Sequence, residues 1–213
     1  MLRYNSYIKR LALATVLLSP LAWSHPHSFI DMQTTLVHQG DNLTGLKMRW
    51  VMDEITSADL LYDAGEAKPG SEVWKKLAAE VMANVLGQHY FSEFYHLKQP
   101  VKFDNLPPEY HLSRQGHQAV LEFILPLDHP QPLRGQRYTF TTFDPTYFVD
   151  MYYDAEKSLI VPADLPGCRL ELHTPKPDAS MQAYALSLDK ADAPAEEMDL
   201  GRQFAQTVTL TCQ

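Results

Sequence analysis

Three groupings along this chain have residue types that can hold a metal ion or a partner. The first is His25-Pro26-His27, with Asp31 four residues beyond the second histidine. In an extended chain, residues two apart face the same side, so the imidazoles of His25 and His27 project together, with Asp31 on that side too. Imidazole and carboxylate are donors that suit zinc, nickel, cobalt and copper. Pro26 has no amide proton, which excludes a square-planar site that recruits a deprotonated backbone nitrogen at the second position. Asp53 is a further candidate helper carboxylate. The second grouping is His89, Glu93 and His96 at i, i+4 and i+7, a secondary ligand set on one face if the preceding helix runs on past Gly87. Against it, Phe91, Phe94 and Tyr95 crowd the segment and favour rings packed in or near the core.

The third grouping lies in "TFDPTYFVD", where Asp144, Tyr147 and Asp150 stand among aromatic residues and could line a partner-binding cleft. Asp-Pro-Thr is also a simple turn signal, in which Asp144 bonds the backbone two residues ahead. Templates for catalysis are missing from the chain: it has no Gly-x-Ser-x-Gly, no His-Glu-x-x-His, no Gly-rich phosphate loop and no dinucleotide fingerprint. A binding protein is therefore expected, not an enzyme.

These residues need elements to position them. Phe29 to Val37 is strand-friendly, and after the turn cluster Gln39-Gly40-Asp41-Asn42 the residues Leu46, Met48 and Trp50 alternate with Lys47 and Arg49, which predicts a hairpin. Asp53 or Ser57 can start a short helix over Ala58 to Tyr62. A long amphipathic helix is predicted from Ser71, its stripe being Trp74, Leu77, Ala78, Val81, Met82, Val85 and Leu86. From Phe103 onward, Pro- and Gly-punctuated runs such as "AVLEFIL", "RYTFTTF", "TYFVDMYY", "CRLELHT" and "TVTLTC" predict antiparallel strands. The expected fold class is α+β: antiparallel sheets with one long helix inserted early and a C-terminal part that is mainly β and sandwich-like. The expected division is 1–24 as a leader, 25–100 as an N-terminal α+β part and 101–213 as a mainly β part, or both parts as one continuous domain.

The leader is read from Arg3, Lys9 and Arg10, the apolar run Leu11 to Leu18, and Ala22 and Ser24 as small residues before a cut that would leave His25 first. The run is too short to span a bilayer as a helix. Export and cleavage would make the product a soluble periplasmic protein whose His25 amine is an additional nitrogen donor. The formal charge of −8 becomes more negative once the basic leader is removed. Such a charge argues against nucleic acid and anionic membrane surfaces and raises the local concentration of cations. Cys168 and Cys212, the two cysteines of the chain, are expected to form a disulfide in an oxidising compartment.

Three motifs in order resemble a family of bacterial periplasmic proteins of unknown function, often labelled "ABC-type uncharacterized transport system, periplasmic component". They are His-Pro-His-x-Phe (His25, Pro26, His27, Phe29), Gly-Leu-x-x-x-Trp-x-x-Asp-Glu (Gly45, Leu46, Trp50, Asp53, Glu54) and an aromatic Asp-Pro-Thr-Tyr (Phe143 to Tyr147). The resemblance implies a metal-binding accessory of an inner-membrane metal transporter of the nickel/cobalt or zinc type. The expected cofactor is a divalent transition metal, zinc first, with nickel, cobalt or copper as alternatives. Two other readings stay open. One is a docking protein for an inner-membrane transporter without metal. The other is a copper protein resembling a histidine brace, made from the terminal amine and two imidazoles.

Overall fold

The computed structural model describes residues 26–188 and 199–213. The expected leader, His25 and the acidic stretch Asp192 to Glu197 lie outside the described residues. The fold is α+β, with two sheets rich in antiparallel pairs. The first sheet begins with the expected hairpin of β1 (Ser28–Gln39) and β2 (Asn42–Met52). It continues through β6 (Gln118–Pro132) to β5 (Tyr110–Gln115) on one side and takes β8 (Val149–Tyr152) on the other, which gives the order β5-β6-β2-β1-β8. The second sheet has the order β10-β11-β7-β3-β4, formed by β10 (Cys168–His173), β11 (Thr207–Cys212), β7 (Arg137–Thr142), β3 (Ser92–His96) and β4 (Gln99–Pro100).

Period-two alternation decides what each strand buries. Met32, Thr34 and Leu36 of β1, Met48 and Trp50 of β2, and Leu121, Phe123 and Leu125 of β6 are all buried. All of them but the polar Thr34 belong to one apolar cluster that also takes Phe94, Tyr138, Phe140, Val208 and Leu210 from the second sheet. Both sheets draw strands from either side of residue 100, and one core serves both. At Gly45, β6 comes so close to β2 that an added Cβ would lie 2.6 Å from the Leu125 carbonyl oxygen, so only glycine fits there.

The helices form where their signals stand. In α1 (Glu54–Ala64), Asp53 is the N-cap, its carboxylate accepting from the backbone N–H groups of Ile55 and Thr56. Ser57 in α1 is fully buried. Its hydroxyl donates to the Met52 carbonyl and accepts from Ala119 N–H, which ties the helix to β2 and β6. In α2 (Glu72–Gly87), Trp74, Leu77, Ala78, Met82 and Val85 are the buried stripe. The helix packs against β5. Two short helices, α3 (Ala179–Ser187) and α4 (Leu200–Phe204), stand between β10 and β11. Among the described residues no helix is long and apolar enough to cross a membrane.

Two sequence expectations are corrected. The strand expected over Thr146 to Tyr153 is β8 (Val149–Tyr152) alone, because Thr146 to Phe148 are taken by a turn built on Asp144. It runs parallel to β1, as does β9 (Leu159–Ile160), beside the antiparallel pairs that dominate both sheets. The long helix does not run on past Gly87. A single 3-10 turn, His89–Phe91, with all three residues in the left-handed region, redirects the chain into β3.

Cys168 and Cys212 are joined in a disulfide that links paired positions of β10 and β11 across 44 residues. Closing a loop of that length stabilises the fold by about 4 kcal/mol on the chain-entropy model. A Cys168→Ser/Cys212→Ser variant is therefore expected to lose about that much in urea denaturation, and to respond no further to reductant.

Candidate functional site

The three motifs meet at the start of β1. His27 donates its backbone N–H to the Phe148 carbonyl at 2.9 Å, and its ring lies against the Phe148 ring with centroids 4.9 Å apart. Two residues on, Phe29 N–H donates to Asp53 Oδ2 at 2.7 Å, and Asp53 N–H returns a bond to the Phe29 carbonyl at 3.0 Å. The Ser28 hydroxyl lies 2.6 Å from Thr56 Oγ1, and the Thr56 hydroxyl donates to the same Asp53 oxygen. The segment after Pro26 is thus gripped on one side by the α1 cap and on the other by the Asp-Pro-Thr-Tyr turn.

That turn is rigid for local reasons. Asp144 is buried, and its carboxylate accepts from Thr146 N–H, the Thr146 hydroxyl and Val149 N–H. The Tyr147 ring stacks on Phe204 of α4, with centroids 4.1 Å apart and planes 12° from parallel. Gly201 N–H donates to the Pro145 carbonyl, and a Cβ at Gly201 would overlap the Asp144 carbonyl oxygen, so α4 sits directly on the turn. Arg202 of α4 makes a two-point ion pair with Glu93, bonds Asp199, and lies over the Phe143 ring.

These contacts decide what each candidate residue is able to do. Asp53 accepts from four donors: Ile55 and Thr56 N–H, the Thr56 hydroxyl and Phe29 N–H. That fills the four lone-pair sites of a carboxylate, so the candidate helper Asp53 here positions the segment. Burial alone would raise its pKa. The bonds from Thr56, Phe29 and Ile55 together outweigh burial and hold the carboxyl below the ordinary range. Asp31 faces the same side as His27, but four residues of strand put their Cα atoms about 13 Å apart, too far to share one ion. Its carboxylate instead lines a separate cleft with Arg49, Asp154 and Lys157.

The acid nearer to His27 is Asp150, the register partner of Phe29 on β8. One strand across and two residues along is about 8 Å between Cα atoms, within reach of a shared ion. Burial raises the Asp150 carboxyl. Tyr152 on the same face is raised by burial and then by the charges of Asp31, Asp150, Asp154 and Asp53, which marks this face as strongly negative. Of the expected partner-binding residues, Asp144 and Tyr147 build the turn, and Asp150 stands on the face with Phe29.

The secondary set does not assemble. With α2 ended at Gly87, Glu93 and His96 fall on opposite faces of β3 by strand alternation, and His89 stays in the 3-10 turn. His96 Nε2 is 2.8 Å from Gln136 Oε1, and its ring lies by Tyr138. Among the described residues no group of three His, Cys, Asp or Glu side chains is placed to hold an ion. Sequence reasoning missed Ser28, Thr56 and Phe148 as holders of the segment. The Asp-x-x-Thr spacing of Asp53 and Thr56, a cap signal, pointed to one of them.

Asp53→Ala removes the cap and the grip on Phe29 together and is expected to destabilise the fold by about 2–3 kcal/mol in chemical denaturation. Because the folded pKa is depressed, the ionised carboxylate contributes stability fully above an unfolded value of about 3.9. That contribution is lost as pH falls through the folded pKa. The gap between wild type and Asp53→Asn should narrow as the medium is acidified below about pH 4.

A family model described as "Protein of unknown function (DUF1007)" matches residues 10–212. An uncharacterized protein of Haemophilus influenzae is 38% identical over 191 residues, which cover 89% of this chain and 92% of that one. No solved structure matches. With the match running from residue 10 through both sheets to the last strand, the chain belongs to the DUF1007 family of proteins of unknown function.

Proposed function

We propose that this protein is a periplasmic binding module that holds a divalent transition ion at its processed N-terminus and exchanges it with an inner-membrane metal transporter. One observation carries the reading: His27 follows what is expected to be a cleaved leader, yet its backbone is fixed to the folded core on both sides, through Phe148 and through Asp53 by way of Phe29. Chain ends are usually mobile, and holding a ligand in place removes an ordering cost from binding. The donor chemistry fits. Imidazoles of His25 and His27, the amine of a mature His25 and the carboxylate of Asp150 are zinc- and nickel-type ligands. Asp53 and Thr56 act as positioning residues. The negative face around Tyr152 favours a cation, and an ion beside Asp150 would offset the burial that raises its carboxyl.

The partner is expected at the same end. Phe29 and Phe148 are 43% and 40% exposed, so two aromatic faces flank the ligands and offer a transporter a contact surface. The disulfide and the expected leader both suit an oxidising compartment outside the cytoplasm.

The test is metal content by mass spectrometry on protein exported and processed natively, without an N-terminal tag. Wild type should carry one equivalent of zinc or nickel, and His25→Ala/His27→Ala none. Asp150→Asn should weaken zinc retention by at least about tenfold, while Asp31→Asn leaves it unchanged. Absence of metal from wild-type protein, with a silent zinc titration, would overturn the reading in favour of the docking protein.

A further inference from the structure

A cleft of about 710 Å³ opens between the end of α2, the 3-10 turn, β3 and β4, and it shares no residue with the His27 site. Its volume lies within the range of roughly 300–1,000 Å³ usual for small-molecule sites. Leu86, Tyr90, Phe94, Val101 and Phe103 give it a largely carbon lining.

Two features set it apart from a packing gap. The first is its wall. His89, Tyr90 and Phe91 take φ values of 50, 60 and 53°, three successive non-glycine residues in the left-handed region. Each such residue costs on the order of 1 kcal/mol or more and persists only where tertiary contacts impose it. Tyr90 supplies those contacts: its ring stacks on Phe123 and meets Phe103 edge-on, and its hydroxyl donates to the Asp104 carbonyl at 2.9 Å. Had α2 continued, the turn and the bend into β3 that bound this cleft would not exist.

The second feature is its charge. Three polar groups of the lining are already engaged with protein: the Tyr95 hydroxyl donates to Glu93, Glu93 pairs with Arg202, and the Ser92 hydroxyl donates to the Tyr90 carbonyl. Lys102 also lines the cleft and is exposed, and among the described residues it enters no ion pair. One uncompensated positive charge thus stands beside an apolar cavity on a protein of formal charge −8.

We propose that this cleft binds a monoanionic amphiphile, a small carboxylate with an apolar body, with the carboxylate at Lys102 and the body against Tyr90, Val101 and Phe103. A ligand with several negative charges would be repelled by the rest of the surface. One with none would leave Lys102 unused.

The test is calorimetric titration of the full chain with decanoate. One equivalent should bind, and Lys102→Met should weaken it about tenfold, the worth of one charge-assisted hydrogen bond, with an unchanged thermal unfolding profile. Decanol should bind wild type as weakly as decanoate binds Lys102→Met, and Val101→Trp should abolish binding by filling the cavity. Metal content of these variants should match wild type, which separates this site from the N-terminal one. Absence of decanoate binding below about 1 mM, equal binding by Lys102→Met, or a preference for decyltrimethylammonium would overturn the proposal.

Discussion

The carboxylate of Asp53 holds together parts of the chain that have no other reason to be adjacent. It ends β2, starts α1 and takes the Phe29 amide, so one side chain fixes a helix terminus and the entry of the first strand. Charge-assisted hydrogen bonds of this kind are among the stronger ones in proteins. Once Phe29 is fixed, β1 runs in one register against β2, and its other edge is set for β8 to add in parallel. That parallel pairing places Asp150 beside Phe29 and brings Phe148 to His27.

Asp144 plays the matching part on the far side. It closes the Asp-Pro-Thr-Tyr turn with three bonds, and the turn presents the Phe148 carbonyl to His27. Gly201, Tyr147 with Phe204, and Arg202 with Glu93 then lock α4 over the turn. The motifs lie far apart in sequence, yet their side chains act on one short segment. A structural role explains Asp53 and Asp144. It does not explain Asp150, a carboxyl raised by burial on an already acidic face. Under the metal reading proposed above, a cation beside Asp150 would favour its ionised form.

Much of this was legible in the residues. The hairpin, the Asp53 cap, the α2 stripe and the alternating last strand follow from local periodicity and cap chemistry, and the cysteine pair joins as expected. Non-local features were harder to read. Face-sharing along β1 was visible, but the distance between His27 and Asp31 excludes the pair from one ion. Asp150 becomes a neighbour only through the parallel pairing of β8, which no local pattern announces. The break after Gly87 had the same origin: His89 to His96 is helix-compatible by spacing, but Tyr90 and Phe94 gain more by entering the core.

A pinned segment at the entry of β1 is the premise on which the metal reading rests, and amide hydrogen exchange at His27 and Phe29 measures it directly. If Phe148 and Asp53 hold these two amides, both should exchange as slowly as interior amides of β1, and Asp53→Asn should release Phe29 while leaving the middle of the strand protected. Exchange of both amides at the rate of an unstructured peptide in the wild-type protein would contradict the pinned segment and remove the physical basis for a preorganised site.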